Sequence, residues 1–482
     1  MKAVRPYLLP LLCITALLSC TADVQIDIYL VRSPDVDEDP LVPGLTSDVR
    51  MRITGPGMNP IEVVSPYVPG GTAKMPKVPL GKDRVITVEG LKADGLVLSR
   101  GRSLPLPINE DTAGVPLLIA RVGRFSYTPD NGLAVGRFGH AAAVADTGEL
   151  VIAGGATDST YDTSESASET VEIYNPTDGS VRRLPCGDDC GAAPGISGNM
   201  LPLNGGLLML SGRGQDPPAA AFLDPVGETD TPVSIPVAER YGAAGVSTDN
   251  RIVLAGGTSP EGPTDLVEII DAEYNVQTVS LTDARWGLAG AGTPSGAVFF
   301  GGFDADGNVS ADLFFVPSDS AEVQRAATGL DARAFARAVT LSDGRVLLIG
   351  GETQEGVSSE SIDLVDPVQS FACRVGTLKT GVRHTAAALL SDGRVLTVGG
   401  MAGGLSGTPV ATAVILDPRY IELSEDCTEN SGTLFTTDIP PAGTARYLAE
   451  ARNLKNGTVA LVGGLTAAGT AVRQIEIFVP EE

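Results

Sequence analysis

A hydrophobic strand that closes on a pair of glycines recurs along most of this chain, and that repetition limits the fold more than any other feature. Clear copies run from Leu150 to Gly155, Ile252 to Gly257, Val298 to Gly302, Val346 to Gly351, Val395 to Gly400 and Val459 to Gly464. A degenerate copy, Leu207 to Gly212, fills the one large gap. The last residues of the copies fall at 155, 212, 257, 302, 351, 400 and 464, at intervals of 57, 45, 45, 49, 49 and 64. A single Gly-Gly means little, but six copies and a seventh degenerate one mark an array of like units. A chain of 482 residues is long enough for such an array or for several domains. With 58 Gly, 34 Pro and only 5% aromatic residues, its composition favours turns and strands over a helical bundle.

Each copy keeps one order. An arginine leads a strand of small residues, such as Arg383-His384-Thr385-Ala386-Ala387-Ala388. A tight turn such as Asp343-Gly344 or Asp392-Gly393, suited to positive φ, leads into the Gly-Gly strand. A third strand follows, such as Thr170 to Tyr174 or Ser361 to Val365, often closed by Asn-Pro or Asp-Pro, as at 175–176, 366–367 and 417–418. A fourth strand completes the unit. Periods of about 45–50 residues are those of propeller blades. Over residues 123–482 the pattern resembles the kelch repeat of galactose-oxidase-like β-propellers. The expected fold is therefore all-β, a seven-bladed kelch-like propeller preceded by a small β-sandwich. Six blades are the alternative, with residues 186–239 then an irregular insertion. The last copy ends after its third strand, Gln474 to Val479, while the segment Gly123 to Pro129 stands before the first copy. That segment is expected to supply the missing strand and close the ring, since the sheet edges there would otherwise stay unpaired.

Residues 20–122 show no repeat. Alternation in Val24, Ile26, Ile28 and Leu30, and again in Val49 to Ile53 and Arg84 to Val88, reads as short strands separated by Pro/Gly turns. About 100 residues of this kind suggest a sandwich of immunoglobulin-like or transthyretin-like type.

The first residues read as an address. Lys2 and Arg5 precede a short apolar stretch, Tyr7 to Leu18, broken by Pro10. This is too short for a spanning helix and has the form of a secretory signal. Leu17-Leu18-Ser19-Cys20 looks like a bacterial lipobox; the alternative is an ordinary signal with a chance cysteine. The resemblance implies removal of residues 1–19 and a lipid-anchored Cys20. Thr21, where an Asp would retain the protein at the inner membrane, implies the outer membrane. Several acyl chains would anchor stably at about 0.8 kcal/mol per buried CH₂. Cleavage would take the formal charge from −25 to −27. Such a chain lacks the basic footprint of a nucleic-acid binder.

Four cysteines would remain, Cys186, Cys190, Cys373 and Cys427, and an even number in an exported chain implies disulfides with three possible connectivities. The pairs expected are Cys186–Cys190 and Cys373–Cys427; the metal reading of the CGDDC loop lacks a second Cys/His cluster.

The recurrent arginines, Arg137, Arg240, Arg285, Arg333, Arg383 and Arg446, should ring the face on which the glycine pairs end. Read functionally, several guanidinium forks make an anion site. Read structurally, each arginine ties a neighbouring blade, and repetition favours that. Arg285-Trp286 and Arg446-Tyr447 break the symmetry and are better ligand candidates, as the sole Trp could stack a sugar or a cation. Arg137, Arg240 and Arg383 stay on the candidate set. His140 and His384 read as one repeat position serving packing. A galactose-oxidase copper centre does not fit, because the cysteines are committed elsewhere and the histidines lie in different repeats. The sialidase box is absent, and Asp304, Asp306 and Asn308 form only part of a calcium loop. No catalytic residue, cofactor or metal is expected.

The leading expectation is an envelope-anchored, non-catalytic module that binds a protein or a glycan. The alternative is a carbohydrate-active enzyme such as a sugar mutarotase, resting on fold analogy. A purely structural scaffold is a third reading. Convergent Arg, Glu and His from different blades would favour the enzyme, and a broad loop surface the binder.

Overall fold

The computed structural model describes residues 23–481 apart from 34–38, 71–75, 113, 130–131, 159–167, 169, 185–194, 211, 214–219, 226–228, 234, 370 and 422–433. Every regular element among the described residues is a strand. Seven four-stranded antiparallel sheets follow one another along the repeat. Their first strands are Ala141–Val144, Asn199–Leu203, Ala244–Thr248, Ala289–Thr293, Arg337–Thr340, Ala386–Leu389 and Glu450–Asn453, numbered here as blades 1 to 7. Each first strand neighbours those of the blades before and after it, and blade 7 returns to blade 1. The ring is a seven-bladed β-propeller. Residues 186–239, the site of the six-blade alternative, contain blade 2, with strands Asn199–Leu203, Gly206–Leu210, Ala220–Asp224 and Thr229–Val233.

The physical reason for the strand pattern is visible blade by blade. Gly-Gly strands such as Leu150–Ala153 and Val346–Ile349 are buried at every position, because they lie second in the blade with a neighbouring blade on each face. This matches their unbroken apolar sequence. The first strands are poor in large side chains because seven of them must converge on the axis. The Asp-Gly turns place Gly344 and Gly393 at φ of 88° and 87°. The Asn-Pro and Asp-Pro ends form side-chain-capped turns, with Asn175 and Asp366 accepting the N–H of Thr177 and Val368.

The ring is closed by a strand from the other end of the array. Phe125–Tyr127 pairs antiparallel with Glu476–Phe478, in the register Phe125 to Phe478 and Tyr127 to Glu476. It forms the fourth strand of blade 7. Phe125 and Phe478 are both buried, with ring centroids 5.3 Å apart.

Residues 23–122 form a seven-stranded sheet and a two-stranded ribbon, Asp23–Gln25 with Lys77–Pro79. The two share one apolar core around Ile53, Ile86, Leu117 and Ile119. The sheet packs on blades 1 and 7. The Leu118 N–H donates to Thr177 O at 2.6 Å, and Asn456 Nδ2 donates to both Arg102 O and Pro176 O. Leu118 and Ala120 share a core with Leu150, Ile152, Val462 and Ile477.

Phe125→Ala should cost about 3–5 kcal/mol by emptying a buried aromatic site, and deleting residues 123–129 should lower the unfolding temperature further. Denaturant and thermal unfolding of residues 20–482 measure both; unchanged midpoints would mean that this strand does not close the ring.

Candidate functional site

The blade-start arginines are best located from the isolated bridges at the top of each blade: Phe138–Ala156, Ile196–Arg213, Tyr241–Thr258, Trp286–Phe303, Ala334–Glu352, Arg383–Met401 and Tyr447–Leu465. The residue before each bridge is Arg137, Gly195, Arg240, Arg285, Arg333, Val382 and Arg446. Five of the seven positions are arginine, and their guanidinium groups point into their own blades. Arg137 binds Glu172, Arg333 binds Asp363 and Arg446 binds Glu476, all fully buried. Arg240 reaches Glu268 at 2.8 Å and Arg285 reaches Asp312 at 3.3 Å. The acids lie on the third strand of the same blade. The expected tie to a neighbouring blade is thus corrected for the side chain: the partner carboxylate is in the same sheet. Burial pulls the Arg137, Arg240 and Arg446 guanidinium pKa values below their usual range, and the adjacent glutamates oppose that pull.

The main chain of the same residue reaches the neighbour instead. The N–H of Gly257, Gly302, Gly351, Gly400 and Gly464 donates to the carbonyl of Arg285, Arg333, Val382, Arg446 and Arg137, each in the next blade, at 2.8–3.1 Å. Gly155 does the same to Gly195. The first glycine of the pair is equally constrained. A Cβ on Gly301 or Gly350 would sit 2.1 or 2.2 Å from the same carbonyl.

Blade 6 departs from the pattern, and Arg383 with it. Its acid position, across from Thr397, is Val414, and its arginine position is Val382. Both valines belong to one apolar cluster. Arg383 stands one residue later, in register with Phe138, Tyr241 and Trp286. It binds Glu352 at 3.0 Å, the carbonyls of Gly356, Gly403 and Gly404, and Ser358 Oγ. The shift also separates the two histidines. His140 lies three residues after Arg137, a position held by Thr385 in blade 6, whereas His384 aligns with Gly139. The equivalence expected from sequence does not hold.

The Gly139 position rings the mouth of the channel. Gly139, Ser197, Gly242, Gly287, Phe335, His384 and Leu448 all have φ between 52° and 69°. The N–H groups of Ser197, Gly242, Phe335, His384 and Leu448 donate to the carbonyls of Gly139, Ser197, Gly287, Phe335 and His384, a chain running from blade to blade. Three of these positions, in blades 1, 3 and 4, lack side chains. Across blades 4 to 7 the rim carries an aromatic arc. Trp286 stacks on Phe303 at 4.9 Å, Phe335 meets Trp286 at 5.5 Å and His384 at 4.2 Å, and His384 faces Tyr447 at 6.3 Å. All five rings are half-buried. Trp286 and Tyr447 therefore belong to one arc, while Arg285 and Arg446 beside them point into the scaffold.

Below the rim the channel holds a cavity of about 370 Å³. Its lining is mostly Ala and Gly of the first strands, with four exceptions that carry ionisable groups: Arg337 of blade 5, Glu450 and Arg452 of blade 7, and His140 ahead of blade 1. Arg337 crosses in front of blade 6 and grips Glu450 through both terminal nitrogens, at 3.4 and 3.1 Å. Arg452 binds Glu450 at 2.5 Å and donates through Nε to Ala142 O of blade 1 at 2.9 Å. Burial alone would raise the Glu450 carboxyl, but Arg337, Arg452 and His140 outweigh it and hold its pKa near 2. Burial pushes His140 down to about 3, so its ring is neutral at pH 7. Sequence reading passed over Arg337, Glu450 and Arg452. The available signal was charge inside first strands that are otherwise small and neutral.

The remaining candidates resolve simply. Asp304 accepts the N–H groups of Asp306 and Asn308 and the Asn308 side-chain amide, closing a turn. Among the described residues no group of three or more His, Cys, Asp or Glu is placed to hold a metal ion. Cys373 is buried in blade 5, and Cys20, Cys186, Cys190 and Cys427 lie outside the described residues.

Two tests follow from these contacts. Asp363→Ala alone should destabilise by about 3–5 kcal/mol because Arg333 stays buried without its partner, while Arg333→Val with Asp363→Val should fall within about 1 kcal/mol of the parent, as blade 6 is built that way. Denaturant unfolding distinguishes the two. Glu450 has a folded pKa below its unfolded value near 4.5, so its stabilisation is complete above pH 4.5 and fades as pH falls toward 2. The unfolding-temperature gap between parent and Glu450→Gln should be largest near pH 7 and close over that window.

No known protein family and no curated protein matches this chain; what the geometry establishes is a seven-bladed β-propeller with an aromatic arc over blades 4 to 7 above a charged channel.

Proposed function

We propose that this chain is an envelope-anchored lipoprotein whose kelch-like propeller is a non-catalytic binding module for a protein or a glycan. The aromatic arc Trp286–Phe303–Phe335–His384–Tyr447 carries the reading. Aromatic faces half open to solvent supply large contact area at low entropic cost, and suit a sugar face or an apolar side chain. Ring contacts join these five into one continuous surface over blades 4 to 7, while Tyr241 of blade 3 stands apart against Arg213. Anchoring at Cys20 follows from the lipobox resemblance, and it would tether the propeller through the sheet packed on blades 1 and 7. The pairing Cys373–Cys427 belongs to the same exported-protein reading, supported by Cys373 being disulfide-bonded; Cys186–Cys190 rests on spacing alone.

The alternative, a carbohydrate-active enzyme such as a mutarotase, gains support from Arg337, Glu450, Arg452 and His140 converging from three parts of the ring. The protonation states weigh against it. A carboxylate held near pKa 2 and an imidazole near 3 are weak bases at neutral pH, whereas acid–base catalysis is most effective with a pKa near the working pH.

The test is binding by the mature chain to an envelope glycan panel and to envelope proteins, compared with Trp286→Ala and Tyr447→Ala. Loss of about 2 kcal/mol or more at either position, roughly thirtyfold, is expected for a central aromatic anchor. Unchanged binding by both variants would remove the arc from the site, and sugar anomerisation catalysed by the parent would favour the enzyme. Cys20→Ser should release the protein from the detergent phase; continued partition there would reject the anchor.

A further inference from the structure

We propose that the channel cavity is a second binding site, distinct from the rim, which takes the oxyanion headgroup of a small polar molecule on Arg452, Arg337 and His140. Three observations carry this.

The first is charge. Arg337, Arg452 and Glu450 are the charged side chains lining the cavity. Two guanidinium groups against one carboxylate leave a single excess positive charge inside a protein of formal charge −25. Excess charge in a partly desolvated site is costly unless a counter-charge arrives.

The second is unspent donor capacity. Arg337 uses its two terminal nitrogens on Glu450, which leaves Nε. Arg452 uses Nε and Nη1, which leaves Nη2. His140 is 5% exposed and lines the cavity, yet among the described residues neither ring nitrogen has a hydrogen-bond partner. A buried imidazole without partners is expensive in a scaffold, and one neutral N–H aimed at an anion would satisfy it.

The third is shape. No residue of blade 6 lines the cavity, because the Arg337–Glu450 bridge stands in front of its first strand. The space is displaced toward blades 1 to 4, where small residues such as Ala244, Gly245 and Gly290 bring the first-strand backbone to the cavity wall. At ≈ 370 Å³ it holds a molecule of monosaccharide size. Inner-strand N–H and C=O groups would meet hydroxyls on the body, while the arginines take a carboxylate or a phosphate.

The experiment titrates the mature chain with inorganic phosphate, gluconate and glucose, by calorimetry and by thermal shift, at low and at physiological salt. Phosphate or gluconate is expected to bind and to raise the unfolding temperature, with glucose at least tenfold weaker. The headgroup is assigned by which of the two anions binds. Arg337→Gln should weaken the anion at least tenfold, and His140→Asn several-fold. Glu450→Gln, which raises the excess charge, should not weaken it. Should Arg337→Gln fail to fold, the contrast between weakening by His140→Asn and no weakening by Glu450→Gln still decides. Equal binding of glucose and gluconate, anion binding indifferent to Arg337 and His140, or binding of no probe would each overturn the site. This inference stands apart from the rim, whose test reads Trp286 and Tyr447 instead.

Discussion

One backbone hydrogen bond sets the architecture: the N–H of the second glycine in a blade, given to the carbonyl at the arginine position of the next. It recurs at six junctions of the ring. The geometry demands both glycines. At each of the six clear pairs the two residues have φ between 61° and 116°, a region that residues with a Cβ rarely enter. The approach of the next blade then leaves no room for a side chain. The sequence repeat is thus the record of a contact between units, rather than of anything inside a unit.

The arginine joins two jobs at one residue. Its carbonyl receives the previous blade, and its guanidinium pins the third strand of its own. Blades 2 and 6 lack both members: blade 6 has Val382 and Val414, and blade 2 has Gly195 and Ala221. Blade 4 has Phe314 at the acid position, and its Arg285 reaches Asp312, two residues earlier on the same strand. A buried ion pair and an apolar pair are near-equivalent solutions, but half of either is not. This explains why the two positions change together in blades 2 and 6. It also frees Arg383, displaced by one residue, to gather loop carbonyls on the face where the aromatic arc lies.

Much of this was legible in the sequence. The glycine pairs gave blade number and order, and the unfinished last copy with the orphan segment before the first announced the closing strand. Trp286 and Tyr447 stood out as unlike their equivalents. Two things were hidden. Alignment by arginine placed Arg383 one position early, which made His140 and His384 look equivalent; only the bridge register shows the offset. The channel residues were hidden because their meaning depends on neighbours far away in the chain. Arg337 and Glu450 are 113 residues apart, and no local pattern says that a first-strand side chain passes the adjacent blade to reach the next.

The seam in blade 7 has a consequence for how the molecule is made. The strand Phe125–Tyr127 is among the first parts of the propeller to be synthesised, and its partner Glu476–Phe478 is among the last. Until that final segment emerges, six blades can stack but the circle stays open, with an exposed sheet edge at each side of the gap. The N-terminal sheet, complete by then, runs directly into the waiting strand through Val122, which itself bridges to Val479. Synthesis order therefore makes closure the last event. Loss of the strand Glu476–Phe478 would leave six blades intact and the ring open, its exposed edges prone to pairing with those of neighbouring copies.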